Sequence, residues 1–213
     1  LLGATLEKIA IEIRNLQRTE IAEVSEHFKK GQMGSSAVPT KRNPIKSERI
    51  SSLSKLLRSQ ISTSFENIPL WHERDLSNSA NERFILPMTS ILLDEMLETM
   101  TKIIENLQVD TKRVQENLHI TKGQIFAEFV LEALIKKGIP RIKAYRDVQR
   151  VAFAAHKKGI NFMDALENDK AVSSILSDKE IKSVFVAKNH LGASLSIIDN
   201  VERHVKVNSK KFS

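Results

Sequence analysis

Residues 1–17 read LLGATLEKIAIEIRNLQ, and their apolar side chains recur with the period of an α-helix. The intervals alternate between four and three residues, at Leu2, Leu6, Ile9, Ile13 and Leu16. Side chains spaced in this way form one stripe along a helix. No N-cap residue precedes the stripe, so we expect a helix that is already under way, in the C-terminal part of a larger protein. Because no upstream segment is present to cover this apolar stripe, we expect it to pack against partner helices.

The rest of the chain carries the same helical pattern, with one main interruption. The 213 residues include only seven glycines and five prolines, and Gly31, Gly34, Pro39 and Pro44 cluster in one loop, residues 31–44. We therefore predict an all-α fold. A long antiparallel helical bundle is expected in residues 1–109, and a small all-helical domain in residues 110–213.

The expected helices follow from apolar spacing, caps and breakers. In the bundle they cover residues 1 to about 29, 45–66 and 79–107. The second of these helices has Ile50, Leu53, Leu57 and Ile61 on one face. Beyond the bundle they cover 110–117, 121–136, 141–158, 162–168, 178–187 and 192–206. Ser79 with Glu82 and Ser177 with Glu180 both have the form of a capping box.

Composition excludes several classes of protein. The chain has no cysteine, which excludes a disulfide framework and a thiolate metal site and fits a reducing, cytoplasmic location. Its six histidines are never three or four residues apart, so no helical metal site is predicted. No apolar run approaches the roughly 20 residues that span a bilayer, so no membrane association is expected.

The loop at residues 31–44 combines residue types that suit anion chemistry. Ser35 and Ser36 are adjacent hydroxyls on a glycine-flanked segment, and Lys41 and Arg42 are adjacent cations. Glycines allow backbone N–H groups to approach an anion, and the cations can hold carboxylate or phosphate oxygens. Composition alone favours a flexible polar linker with a basic turn, so the order of the residues has to decide.

That order resembles a known family signature. Residues 34–44, GSSAVPTKRNP, resemble the GSSxMPxKxNP loop of the fumarase/aspartase superfamily. Residues 70–87, LWHERDLSNSANERFILP, are similar to the WHERD segment of the adenylosuccinate lyase family. Residues 7–17 are similar to the helix before that loop, and the later helices look like the family's C-terminal domain. The resemblance covers nearly the whole chain and implies a central bundle of long helices followed by a small helical domain.

The resemblance implies a role for several residues of the loop. Ser35 matches the family's catalytic base, and Ser36 matches a hydroxyl that contacts substrate. Lys41 and Asn43 match positions that bind the substrate's carboxylates, and Arg42 is a neighbouring candidate for the same task. A serine hydroxyl is too weak an acid to act as a base unaided, so cations or backbone donors are expected around its oxygen.

Four further positions match the family outside the loop. Arg74, Ser79 and Arg83 match residues that hold the nucleotide portion, a role that suits the bidentate fit of arginine to phosphate. Glu48 matches the glutamate that orients the general-acid histidine. His72 stands beside Trp71 and is given no catalytic role.

The implied reaction is a β-elimination that releases fumarate. The substrates are adenylosuccinate, which yields AMP, and the succinylocarboxamide ribotide of purine biosynthesis. No cofactor is implied, and the active sites are shared between the subunits of a homotetramer. The family's general-acid histidine lies upstream of Leu1, and none of the six histidines matches it, so this stretch alone is expected to be inactive.

Two other interpretations remain open at this point. Another lyase of the superfamily, acting on argininosuccinate or a carboxymuconate, would share the first motif. A basic helical module that binds nucleic acid would explain the net charge of +7. Aromatic residues make up only 5% of the chain, and acids and bases are interspersed, so binding of nucleic acid is not expected.

Overall fold

The computed structural model describes residues 1–28, 31, 35 and 37–209. Within these ranges the regular structure is helical apart from two strands of two residues each, which confirms the predicted all-α class. Contacts divide it into two units, Leu1–Gln115 and Glu116–Ser213. In the described part of the chain, no helix is both long enough and apolar enough to cross a membrane.

The first unit is built on three long helices. Their bounds are α1 Leu2–Leu16, α2 Ile45–Phe65 and α3 Ser79–Glu105. Two short strands, β1 Val24–Ser25 and β2 Gln108–Val109, pair antiparallel, and α4, Thr111–Leu118, follows.

Side-chain contacts set the directions of the three helices. Arg14 donates to Ser51 near one end of the α1–α2 pair, and Arg58 pairs with Glu7 towards the other. Asn67 and Asn81 exchange hydrogen bonds where α2 leads into α3. Neighbouring helices are therefore antiparallel, as the sequence predicted.

The core of the first unit contains apolar side chains from all three helices. Its buried members are Leu6, Ala10, Ile13, Ile50, Met96, Met100 and Ile103. The buried face of α2 is mostly polar, because Ser47, Ser51 and Ser54 accompany Ile50 there, whereas Ile61 is exposed. Of the predicted apolar face, Ile50 lies in the core and Leu53 and Leu57 pack against it, so the prediction is wrong only at Ile61, which is 50% exposed.

The predicted helix over residues 1 to about 29 is also wrong, because α1 ends at Leu16. Ala22 adopts a positive φ of 54°, outside the helical region. Val24 and Ser25 then pair with β2, and Arg113 donates to the carbonyl oxygens of Glu20 and Ile21. These partners lie about 90 residues away in sequence, so tertiary contacts override local helical preference.

The second unit contains the shorter helices. They are α5 Ala127–Lys136, α6 Arg141–Lys158, α7 Phe162–Glu167, α8 Lys170–Ser173, α9 Asp178–Val184 and α10 Ser194–Ser209, with 3₁₀ turns at Gln124–Phe126 and Ala187–His190. The capping box of Ser177 and Glu180 is confirmed. The predicted box at Ser79 is wrong: Asn78, itself in a helical conformation, is the N-cap residue, so Ser79 is already inside α3.

The core of the second unit contains buried side chains from α5 to α9 and the turn before α5. Its largest fully buried members are Phe162, Leu134, Leu166, Leu176, Ile181, Val130 and Val172. This unit therefore has a hydrophobic core of its own.

Candidate active site

The loop at residues 31–44 is joined to the bundle at both of its ends. Gln17, just beyond α1, accepts the backbone N–H of Glu26 at 3.0 Å and donates to the carbonyl oxygen of Arg42 at 2.9 Å. The carboxylate of Glu26 accepts the backbone N–H groups of Lys46 and Ser47 at 3.2 and 2.7 Å. These contacts hold the residues on either side of the loop close together.

Glu26 supplies the cap that α2 lacks locally. Pro44 occupies the N-cap position and makes no capping hydrogen bond from its side chain. The first N–H groups of a helix have no partner within the helix, and its N-terminus favours negative charge. A buried carboxylate from another segment meets both requirements, and the Ser47 hydroxyl also donates to it at 2.6 Å.

Ser35 lies in a tight turn with its oxygen among backbone donors. Its Oγ accepts the N–H of Ala37 at 3.3 Å and that of Val38 at 3.2 Å. Backbone N–H donors favour the negatively charged form of an oxygen. The local geometry therefore contains the kind of donor that a serine base requires. Ser36 lies outside the described residues.

The basic end of the loop lies beside a broad cleft of the first unit. The cleft has a volume of about 1400 Å³. Lys41, Arg42 and Asn43 line it together with Glu48 from the first turn of α2. The Arg42 guanidinium also stacks over the ring of Phe28, 5.5 Å from its centroid. The structure thus brings together four of the residues that the sequence singled out.

The opposite walls of the cleft mix both signs of charge. They come from the end of α1, the segment after it and β2 with its neighbours. The basic residues among them are Arg14, Arg18 and Lys112, and the acidic ones are Glu20, Glu23 and Asp110. A cleft with several cations can hold carboxylate groups of a small anion. Neither Ser35 nor any histidine is among the described residues that line it.

The second motif forms a separate loop before α3. Asp75 organises it by accepting the N–H of Trp71 at 2.8 Å and both the N–H and the hydroxyl of Ser77. The pKa of Asp75 lies below its ordinary value. The hydrogen bond from the Ser77 hydroxyl is the main cause, and the two backbone N–H donors add to it. Arg74 and Arg83 are exposed, and Ser79 is half-buried. The two arginines are thus open to a ligand from outside this segment.

The two motifs lie at opposite ends of α2. This helix has 21 residues and is therefore about 30 Å long. The loop with Ser35 precedes it, and the segment with Arg74 follows it. The structure therefore does not bring Arg74, Ser79 and Arg83 to the cleft of the same chain that holds Lys41 and Asn43. His72, with a φ of 51°, is exposed in the second segment and contacts none of the predicted catalytic residues.

Sequence reasoning missed Gln17 and Glu26. Gln17 ends the segment 7–17 that resembles the family but was given no role, and Glu26 belongs to no recognised motif and fell inside a segment predicted to be helical. The only local signal was Pro44 at the start of α2, because a proline cannot cap a helix with its side chain and another acceptor has to do so. Metal binding has no support in the described part of the chain, where no three histidine, aspartate or glutamate side chains form a ligand group.

Comparison with known proteins gives consistent matches along the chain. Residues 1–56 match the family model described as "Lyase", and residues 123–201 match that described as "Adenylosuccinate lyase C-terminus". A curated adenylosuccinate lyase from Pyrococcus abyssi is 40% identical over 206 residues, which is 97% of this chain and 46% of that protein. The chain thus spans about half the length of the curated relative that it matches.

Solved structures show the same arrangement of helices. A 3-carboxy-cis,cis-muconate lactonizing enzyme from Pseudomonas putida matches with a TM-score of 0.80 and 26% identity, over 96% of this chain and 45% of that chain. A fumarate lyase from Mesorhizobium sp. BNC1 matches with a TM-score of 0.79 and 23% identity, over 93% of this chain and 43% of that chain. The second likeness, at its lower identity, concerns the fold alone.

Proposed function

Because this chain belongs to the adenylosuccinate lyase family of the fumarase/aspartase superfamily, we propose that it supplies the C-terminal half of an adenylosuccinate lyase. The enzyme would release fumarate from adenylosuccinate, leaving AMP, and from the succinylocarboxamide ribotide of purine biosynthesis. The observation that carries this proposal is the 40% identity to the Pyrococcus abyssi enzyme across 97% of the chain.

In the proposed reaction, Ser35 acts as the general base. It takes a proton from the succinyl carbon next to a carboxylate, and the electron pair is delocalised into that carboxylate. The C–N bond then breaks, its electron pair leaves with the nitrogen, and a general acid protonates that nitrogen as the double bond of fumarate forms. The N–H groups of Ala37 and Val38 support this role, because they would stabilise negative charge on the serine oxygen.

Substrate would be held by both motifs. Lys41, Arg42 and Asn43, which line the cleft, suit the two carboxylates of the succinyl group, and Ser36 would add a hydroxyl contact. Arg74, Ser79 and Arg83 would bind the phosphate of the nucleotide. The reaction requires no cofactor.

The general acid would be a histidine supplied by a segment upstream of this chain, and Glu48 would orient it. Glu48 lines the cleft from the first turn of α2, where it could face such a histidine. The chain by itself is accordingly proposed to be inactive.

We further propose a homotetramer in which subunits share their active sites. The 30 Å length of α2 keeps the two motifs of one chain apart, so a complete site would combine the loop of one subunit with the Arg74 segment of another. The bundle also exposes large apolar side chains, among them Phe84 and Ile91 of α3, which subunit contacts would cover. A cytoplasmic location fits this role and the absence of cysteine.

The test is to assay the full-length protein with adenylosuccinate. We expect loss of the substrate's ultraviolet absorbance together with stoichiometric AMP and fumarate, separated chromatographically. Argininosuccinate and 3-carboxymuconate serve as competing substrates, the second because of the 26% identical lactonizing enzyme. Turnover of either of these, with none of adenylosuccinate, would overturn the proposal.

A further inference from the structure

We propose that Gln17 and Glu26 form a clamp that positions the catalytic loop at residues 31–44 and thereby supports turnover. This inference rests on the proposed function, since it concerns how the proposed base is placed. Both are positioning residues, because neither is assigned a contact with substrate. They act at the two ends of the loop, one through an amide and the other through a carboxylate.

The amide of Gln17 joins the two sides of the loop directly. Its oxygen accepts the N–H of Glu26, which precedes the loop, and its nitrogen donates to the carbonyl oxygen of Arg42 near the loop's end. A single planar group therefore sets the distance between these two backbone positions. No hydrophobic side chain of similar length could replace either hydrogen bond.

The carboxylate of Glu26 fixes the start of α2 relative to the same point. Glu26 is only 8% exposed. Its carboxylate accepts hydrogen bonds from the backbone N–H groups of Lys46 and Ser47 and from the Ser47 hydroxyl. Since α2 has no cap from Pro44, this acceptor decides where its first turn lies. Asn43 precedes that turn and Glu48 belongs to it, and both line the cleft.

The segment that carries the clamp is itself held from the other side. Val24 and Ser25, directly before Glu26, pair with β2 at the end of α3, and Asp110 donates its backbone N–H to Glu23 at 2.9 Å. The clamp is thus anchored to the body of the bundle. The described residues before the loop and at its end, Glu26 and Arg42, are therefore attached to one anchor, and pre-organised positions of this kind favour catalysis.

The clamp should affect catalysis more than binding. Proton transfer requires the base within hydrogen-bond reach of its carbon-bound proton, whereas long side chains such as Lys41 tolerate small displacements. In the full-length enzyme, Glu26→Gln replaces two acceptor oxygens by one and places an NH₂ group against N–H donors. We expect kcat to fall about 10- to 100-fold while KM rises less than about threefold.

Gln17→Met is the second variant. It removes both hydrogen bonds of the amide, and because methionine has a similar size it introduces neither a charge nor a cavity. Exposed residues provide matched controls: Glu12→Gln on α1 and Gln115→Met on α4. Hydrogen exchange of the amides in residues 37–47 is measured in all four variants. We expect faster exchange in the two clamp variants, with unchanged exchange in the buried parts of α1 and α3.

The outcomes separate this inference from the proposed function. If clamp variants and controls share the same kcat and the same exchange, the clamp is overturned. A loss of kcat that only follows a loss of folded protein, with loop exchange unchanged in the folded fraction, also overturns it. If the unmodified enzyme does not act on adenylosuccinate, the proposed function fails, while the exchange data still decide whether Gln17 and Glu26 hold the loop.

Discussion

Ser35 accepts the backbone N–H of Val38 through its Oγ at 3.2 Å, so the loop supplies its proposed base with a donor from its own backbone. The N–H of Ala37 is a second such donor. Donors of this kind stabilise negative charge on an oxygen. Both donors belong to the loop itself.

Replacement of Ser35 by alanine tests its role as the base. In the full-length enzyme, Ser35→Ala should lower kcat by about 10²- to 10⁴-fold, because general-base catalysis contributes on that order, and should leave substrate affinity nearly unchanged. The measurement is the rate of absorbance loss with adenylosuccinate. Ser52→Ala, on the exposed face of α2, is the control. Substantial residual activity would remove Ser35 from this role.

Arg83 should contribute to affinity through the nucleotide phosphate. We expect Arg83→Ala to weaken binding of adenylosuccinate by about 10- to 100-fold, corresponding to a charge-assisted hydrogen bond of roughly 1.5–3 kcal/mol. Calorimetry in a Ser35→Ala background measures affinity without turnover. Arg146→Ala changes an exposed arginine of α6 and should have no effect. Unchanged affinity in Arg83→Ala would favour a superfamily substrate without a phosphate.

An exposed apolar residue of α3 should be buried between subunits. Ile91 is 67% exposed in the single chain. If subunits cover it, Ile91→Asp buries an unpaired charge and should convert the tetramer into smaller species. Sedimentation velocity of the full-length protein measures this change. Ile142→Asp, which alters a similarly exposed isoleucine of the second unit, is the comparison. A tetramer that survives Ile91→Asp would place the interface elsewhere.

Acid should weaken the second unit through two capping carboxylates. The pKa of Asp169 lies below its ordinary value, mainly because the Arg150 guanidinium donates a hydrogen bond to it. The backbone N–H groups of Ala171 and Val172 lower this pKa further. The Lys137 ammonium and the Ser177 backbone and hydroxyl lower the pKa of Glu180 to about 2. A carboxylate whose pKa is lower in the folded state than in the unfolded state stabilises the folded state. This stabilisation is fully present at a pH above the pKa of the unfolded state, which is 3.8 for Asp169 and 4.5 for Glu180. That stability is lost as the pH falls towards the folded values.

Asp169→Asn checks this dependence. At pH 7 it should lower the free energy of unfolding by up to about 1 kcal/mol, because it removes the charge that pairs with the partly exposed Arg150, whereas asparagine can still cap α8. The difference should shrink between pH 5 and pH 3, within roughly the range expected for such a carboxylate. Urea unfolding followed by circular dichroism measures it, with the exposed Asp199→Asn as control. A difference that does not depend on pH would contradict the assignment.

The core of the second unit should depend on Phe162, which is fully buried. Phe162→Ala should cost about 3–5 kcal/mol of stability, because it removes a large apolar group and leaves a cavity. Phe153→Ala, at a position that is 66% exposed, should cost far less. Denaturant unfolding of both variants provides the comparison. Equal losses would mean that Phe153 is covered in the assembled protein.

The sequence predicted part of the candidate site. Its motifs selected Lys41, Arg42, Asn43 and Glu48, and the structure places all four on one cleft. It did not reveal that Glu26 caps α2, because that contact joins residues about 20 positions apart. The roles of the selected residues remain predictions, and so does a domain boundary after Val109.

The sequence by itself determined the class of the fold and most of its helices. Helical periodicity, the breakers at Pro140 and Gly159 and the capping box at Ser177 act within a few residues, so they can be read locally. Only the tertiary structure decided where α1 ends, that Ser47 and Ser54 of α2 are buried and which contacts hold the residues on either side of the loop at residues 31–44. Each of these features depends on contacts between residues distant in sequence, as in the pairing of β1 with β2. The local pattern of residues does not predict such contacts.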